Sequence, residues 1–156
     1  MVNMLVGMSL WILLLFAAIG IFSSIFTFRK RSKNEVKRGI YLGIFLLVFD
    51  YVFETAGYYL NLWEATGSVF RLGAPPIEVL IIAFLAGFTY TMLFEKKFKL
   101  YYGLATSLLI AVVGTSFEAL LISEGLLIYS GGWTSYHALV SYFVTFLLMH
   151  KINSIV

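Results

Sequence analysis

Five long apolar runs constrain this sequence more than any other feature. A helix crossing the hydrocarbon core of a bilayer needs about 20 mostly apolar residues. The stretches from Met4 to Phe28, Gly39 to Leu62, Pro75 to Phe94, Leu100 to Ile122 and Thr134 to His150 meet or approach that length. Hydrophobic residues make up 61% of the chain and charged ones 12%, with mean hydropathy +0.94. A chain of 156 residues cannot hide that much apolar surface in a water-soluble core. The expected fold is all-α: a polytopic helical bundle with five transmembrane helices, one domain over residues 1–156, multi-pass in a cell membrane. The first run lacks a basic leader and exceeds a signal-peptide core in length, so it reads as a retained helix.

The basic residues orient the bundle. Arg29, Lys30, Arg31, Lys33, Lys37 and Arg38 follow the first run, Lys96, Lys97 and Lys99 the third, and Lys151 the fifth, whereas the opposite loops carry Arg71 alone. Short loops rich in Lys and Arg stay inside, which places the N-terminus outside and the C-terminus inside. Trp63, Trp133, Tyr129 and Tyr136 then fall at outer helix ends, as an aromatic belt would. Clustering in loops also explains the net charge of +3 without a nucleic-acid partner. The absence of cysteine excludes disulfides, thiolate metal sites and a cysteine nucleophile. There is no phosphate loop, nucleophile elbow or His-Glu-x-x-His, and no cofactor is expected.

Against this background four carboxyls stand out inside apolar runs: Asp50, Glu54, Glu78 and Glu118. An acidic residue at a helix centre costs roughly 2.5–3.5 kcal/mol on insertion scales. Helical rise places Asp50 near the middle of the second helix and Glu54 about one turn further out, with Glu78 and Glu118 roughly 10 Å outside the midplane of their helices and His137 at about the same height. Asp50, Glu54, Gly57 and Asn61 share a helical face, as do Ser107, Ala111, Gly114 and Glu118 on the fourth helix. Glu78, Ile82, Leu85 and Thr89 do so on the third, and His137, Ser141 and Thr145 on the fifth. The stripes predict an internal polar pocket in the outer leaflet, roofed by loops Glu64–Ala74 and Ser123–Trp133. Such carboxyls can also be structural, hydrogen-bonded groups that lock helices together, and His137 alone could be a capping residue.

Pro75 and Pro76 open the third helix, where a missing N–H does no harm, and put Glu78 in the first turn. The helix dipole favours its carboxylate and desolvation its neutral acid, leaving a cation ligand or a proton donor as alternatives. Gly39-x-x-x-Gly43 reads as close helix packing. An internal echo links FETAGYYLNLW, with Glu54 and Trp63, to FEALLISEGLLIYSGGW, with Glu118 and Trp133, although the spacing differs. A true duplication would give a parallel two-fold repeat of helix pairs with the pocket at its interface.

The stretch from Phe49 to Tyr90 resembles the membrane lycopene cyclase domain family. Phe49-Asp50, Gly57, Trp63, Gly73 and Pro76-Ile77-Glu78 match the family's aromatic-Asp pair, its Gly and Trp, and its Gly-x-Pro-[Ile/Leu]-Glu-Glu motif. The second Glu of that motif is Val79 here, and the family works with two such domains whereas this chain has one match. The second half also resembles small five-helix bacterial membrane proteins of no known function. The resemblance implies a cofactor-free isomerase or cyclase of carotenoid biosynthesis. Glu78 would be the acid, supported by Asp50 and Glu54, and two chains would pair, as in a homodimer.

Two classes of function follow. One is an enzyme that protonates an alkene of an isoprenoid or other membrane lipid, with Glu78, Glu54, Asp50, Glu118 and His137 as catalytic candidates. Tyr51, Tyr58, Tyr59, Asn61, Trp63 and Trp133 would bind the substrate, the aromatic rings sheltering a carbocation. The other is a carrier or binding protein for a metal ion or proton, with carboxylates and an imidazole as ligands. A non-catalytic lipid-binding protein is the third reading.

Overall fold

The computed structural model of the protein describes residues 2–68 and 70–156, with side chains from Leu10 onward. The apolar runs form five helices: α1 (Val2–Phe28), α2 (Lys33–Tyr59), α3 (Ile77–Leu93), α4 (Leu100–Ser123) and α5 (Ser135–Ile155). Two short strands, β1 (Trp63–Ala65) and β2 (Leu127–Tyr129), lie in the α2–α3 and α4–α5 connections. Four helices (α1 from Leu10, α2, α4 and α5) are long and apolar enough to cross a membrane, as in a multi-pass membrane protein. The fifth, α3, is shorter, with 17 residues. Large apolar side chains such as Leu13, Phe16, Val52, Leu109 and Val144 face outward, an arrangement suited to lipid rather than water.

The boundaries depart from the apolar runs where polar residues make helix structure. Helix α2 begins six residues before Gly39, inside what reads as a basic loop, because Ser32 and Glu35 form a capping box. The Ser32 Oγ accepts from the Glu35 N–H at 3.2 Å and the Ser32 N–H donates to the Glu35 carboxyl at 2.8 Å. Lys33, Lys37 and Arg38 are therefore helical. Asn61 is not on the α2 face: it lies past the helix end at φ 54°. Pro76 is the N-cap of α3 rather than its first helical residue, while Glu78 does fall in the first turn. Helix α5 is not short, since it runs on to Ile155. The Lys151 ammonium lies 4.7 Å from the Phe98 ring centre, so a lysine in that helix keeps its charge at the periphery.

Small residues set the packing. A Cβ on Gly39 would fall 2.8 Å from the Phe88 ring, and one on Gly43 2.9 Å from the Phe84 carbonyl. On α3, a Cβ on Gly87 would lie 2.9 Å from the Leu42 carbonyl carbon. The Gly39/Gly43 motif is thus a close α2–α3 contact. Buried Arg38 closes the other end of this pair by donating to the Thr91 carbonyl in the last turn of α3 at 3.4 Å. Helix α1 packs on α3, and α4 packs on α5. Leu42, Leu46, Ala83, Tyr90 and Met149 form the main core.

The α2–β1 and α4–β2 segments are one structure repeated at a constant shift of 64 residues, from Gly39/Gly103 through Glu54/Glu118 to Gly67/Gly131. Each helix ends in the same cap. Asn61 N–H donates to Tyr58 C=O and Leu62 N–H to Gly57 C=O; at the equivalent positions Gly125 donates to Ile122 and Leu126 to Leu121. Asn61 and Gly125 both adopt the left-handed conformation that this cap needs, at φ 54° and 69°. The strands pair antiparallel as Trp63–Tyr129, Glu64–Ile128 and Ala65–Leu127, so the central pair joins equivalent residues and lies on a local two-fold axis. The flanking bonds obey the same symmetry. Thr66 N–H donates to Leu126 C=O at 2.7 Å and Ser130 N–H to Leu62 C=O at 2.8 Å. The Thr66 hydroxyl donates to Gly125 C=O at 2.6 Å and the Ser130 hydroxyl to Asn61 C=O at 2.7 Å. The echo in the sequence is therefore aligned by its glutamates; Trp63 is equivalent to Leu127, and Trp133 lies beyond the matched segment.

Candidate functional site

The strand pair forms a lid over one end of the bundle, replacing the expected roof of loops. Beneath it α2 contributes Asp50 and Glu54, one turn apart on one face, and α4 contributes Glu118. The three carboxyls lie within reach of one another's charge. Glu54 and Glu118 are equivalent residues of the two repeats, so the local axis brings together two copies of one position.

Two phenols face Glu118. Tyr129, the last residue of β2, donates its hydroxyl hydrogen to the Glu118 carboxyl, and Tyr142 on α5 approaches the same carboxyl and faces Asp50 and Glu54 as well. Gly114, the residue equivalent to Asp50, makes room for Tyr142: a Cβ there would fall 3.1 Å from its ring. The Asp50 Oδ2 is buried with no hydrogen-bond partner among the described residues. Trp63 lies against Glu54, buried at 6% exposure, with its ring over Gly57. It contacts Phe53 at 4.8 Å and Trp133 at 4.4 Å between ring centres. Burial and the Glu118 carboxyl both push the Tyr129 phenol above its ordinary pKa, which keeps it a hydrogen-bond donor.

The predicted site residues thus divide. Asp50, Glu54 and Glu118 converge. Glu78 is also buried, yet its carboxyl accepts from the Ser68 hydroxyl at 2.7 Å, and it is not among the charges acting on the other three. His137 stands apart from them as well. It is exposed at the start of α5, where its Nδ1 accepts the Thr134 N–H at 3.2 Å in a capping box, and it stacks on Trp133 at 5.3 Å. Equal depth did not mean convergence, because depth leaves the facing direction of each helix open. Tyr58, Tyr59, Asn61 and Trp63 line an outer groove of about 360 Å³ together with Glu64 and Ser130. Tyr51 is on another side of α2, beneath Gly73.

Of the four aromatics read as an interfacial belt, Tyr136 is exposed, whereas Trp63 is buried and Tyr129 turns inward to Glu118. Sequence reading passed over Tyr142, which no motif distinguishes, and Trp11. The indole of Trp11 donates to the Thr66 carbonyl at 2.7 Å and packs with Ala65 and Leu126, so α1 is fastened to the lid.

Each helix hairpin is tightly packed within itself, whereas α2 and α5 touch only lightly across the interface between hairpins. The carboxyls lie at that interface. Among the described residues no three His, Asp or Glu side chains are placed to hold a metal ion. The chemistry of the cluster is that of carboxyls and phenols able to hold and pass protons beside aromatic rings. No protein-family model, curated protein or solved structure matches the chain.

Proposed function

We propose that this is a membrane enzyme that protonates an alkene of an isoprenoid-type lipid chain, using the Asp50–Glu54–Glu118 cluster as its acid. The observation that carries the reading is the meeting of Glu54 and Glu118 at the repeat interface with Asp50 beside them; among the described residues none of the three is ion-paired, and Arg71, whose charge reaches Glu54, pairs with Glu64 instead. Carboxyls so placed are far cheaper to carry as acids than as three like charges, and a neutral acid is what alkene protonation needs. The neighbouring rings of Phe53, Trp63 and Trp133 would face a carbocation. Sites at the interface of parallel repeats have precedent in membrane proteins.

In this reading all five helices span. The 17 residues of α3 correspond to about 25 Å, at the short end of the spanning range. The basic end, with Arg29–Lys33 and Lys96–Lys99, faces inward and the lid outward. The resemblance to lycopene cyclase domains makes a linear carotenoid the first substrate to try, with the acid shifted from Glu78 alone to the cluster. Expression in a lycopene-accumulating host tests it: cyclised end groups are the expected product. Unchanged pigment at good protein levels removes lycopene as substrate. Purified protein with a stoichiometric metal, lost in Glu118→Gln, would overturn the acid reading altogether.

A further inference from the structure

The two return helices are covered differently. Helix α1 packs on α3, whereas α5 packs on α4 and, lightly, on α2. A groove of about 290 Å³ lies along the second hairpin, lined by Phe98, Leu100, Val144, Leu147, Leu148 and Lys151. Val144, Leu147, Leu148 and Lys151 share one face of α5, and the helix rises about 10 Å from Val144 to Lys151. Five of the lining side chains are apolar, and the one charge stands at the basic end of the bundle. The groove is therefore polarised along the helix, apolar toward the centre of the span and cationic at its end.

The ammonium at that end is held in place without being neutralised. It lies 4.7 Å from the Phe98 ring centre, and among the described residues it has no acidic partner. Lys97 and Lys99 flank Phe98 and add to the positive charge. A second copy of the chain could not supply the missing anion. Copies in a membrane share one orientation, so a neighbour would bring the same basic end. The acids there are Glu35 and Glu95. Glu35 is engaged in the Ser32 capping box, and Glu95 is paired with Lys99.

We propose that this groove holds one acyl chain of an anionic phospholipid, with the lipid phosphate at the Lys151 ammonium. Basic pockets between membrane helices suit such headgroups, and a lysine stem can lie along the chain while its charge meets the phosphate.

The proposal does not rest on the acid role of the carboxyl cluster. Protein in mild non-ionic detergent is given equal amounts of dioleoylphosphatidylglycerol and dioleoylphosphatidylcholine, and the lipid retained on the chain is identified by native mass spectrometry. The native chain should keep phosphatidylglycerol over phosphatidylcholine by about fivefold, the scale of one basic residue at an anionic surface. Lys151→Ala should erase that preference. Lys37→Ala removes an exposed charge from the same end on the first hairpin and should leave it intact. Leu148→Trp fills the groove from an exposed position and should lower retention of both lipids. A native chain without preference, a Lys151→Ala chain that keeps it, or undiminished retention in Leu148→Trp overturns the proposal. An equal loss in Lys37→Ala does so as well, because the preference would then belong to the whole basic end. Paired chains that Leu148→Trp separates would assign the groove to a second copy and likewise overturn it.

Discussion

The α2–β1–α3 and α4–β2–α5 hairpins share a scaffold and differ at the site. Their first helices, α2 and α4, end in the same cap, enter strands of the same length and exchange symmetric bonds across the lid. Glycine meets a ring of the return helix in both: Gly39 meets Phe88, and Gly103 meets His150. Glu54 and Glu118 are shared as well. The differences cluster around them: Asp50 against Gly114, Trp63 against Leu127 and Ala65 against Tyr129. The connection to α3 also runs longer than that to α5 and holds Ser68, which hydrogen-bonds Glu78. Shared positions hold the lid and set the acid pair, whereas unshared ones make the pair asymmetric, with a third acid on one side and phenols on the other.

The largest effect should fall on the shared acids. In whichever host or lipid assay shows turnover, Glu54→Gln and Glu118→Gln should each reduce the rate by about 10²–10⁴, the usual range for general-acid catalysis. Near-equal losses would support the two-fold reading. Glu78→Gln should cost much less, because Glu78 bonds to Ser68 outside the cluster. A Glu78 effect exceeding both would return the acid role to the motif position and break the comparison.

Next come the glycines that set the hairpin packing. Gly87→Ala drives a methyl to 2.9 Å from the Leu42 carbonyl carbon and 3.0 Å from Gly43 Cα. Backbone cannot swing aside, so the helices must separate, at about 1–3 kcal/mol for overpacking. Gly114→Ala meets the Tyr142 ring at 3.1 Å, and a side chain can give by a few tenths of an ångström. Thermal unfolding in detergent should show a clear loss for the first and under about 1 kcal/mol for the second. Equal losses would mean that α4–α5 is as tightly constrained as α2–α3.

The contrast between scaffold and site also explains what was legible in the sequence. Long apolar runs gave the helices, and the face arithmetic placed Asp50 with Glu54 and aligned Ser107, Ala111 and Gly114 with Glu118. It did not give the strands, because three-residue segments such as Trp63–Ala65 are too short for an alternating pattern and form only by pairing with each other. Nor did it place Glu78 and His137, whose hydrogen bonds are to Ser68 and Thr134, local partners that depth alone does not reveal. The basic run at Lys33–Arg38 concealed a helix start that the Ser32-x-x-Glu35 spacing already marked.

The lid offers a smaller and more symmetric test. Thr66→Val and Ser130→Ala each remove one hydroxyl bond to the cap of the other helix, at about 1 kcal/mol apiece. Melting in detergent should show equal losses within experimental scatter. A markedly larger loss at Thr66 would assign extra weight to the first repeat, where Trp11 also bonds to the Thr66 carbonyl.

The smallest effect is expected at the α3–α4 connection, which joins the repeats at the opposite end and has no symmetric counterpart. Glu95 and Lys99 pair there at 2.7 Å on an open surface. The Lys99 ammonium holds the Glu95 carboxyl below its ordinary value of 4.5, and the carboxylate raises Lys99 above its ordinary 10.5. The carboxyl contributes stability above about pH 4.5 that is lost as pH falls through its lowered value. The lysine contribution is present below about pH 10.5 and is lost as pH rises through the raised one. Between those limits the pair is constant, and water screens it. Melting should therefore be flat from pH 6 to 8 as far as this pair is concerned, and Glu95→Gln should leave it unchanged within scatter. A clear drop for Glu95→Gln would make this connection, rather than the lid, the element that holds the two hairpins together.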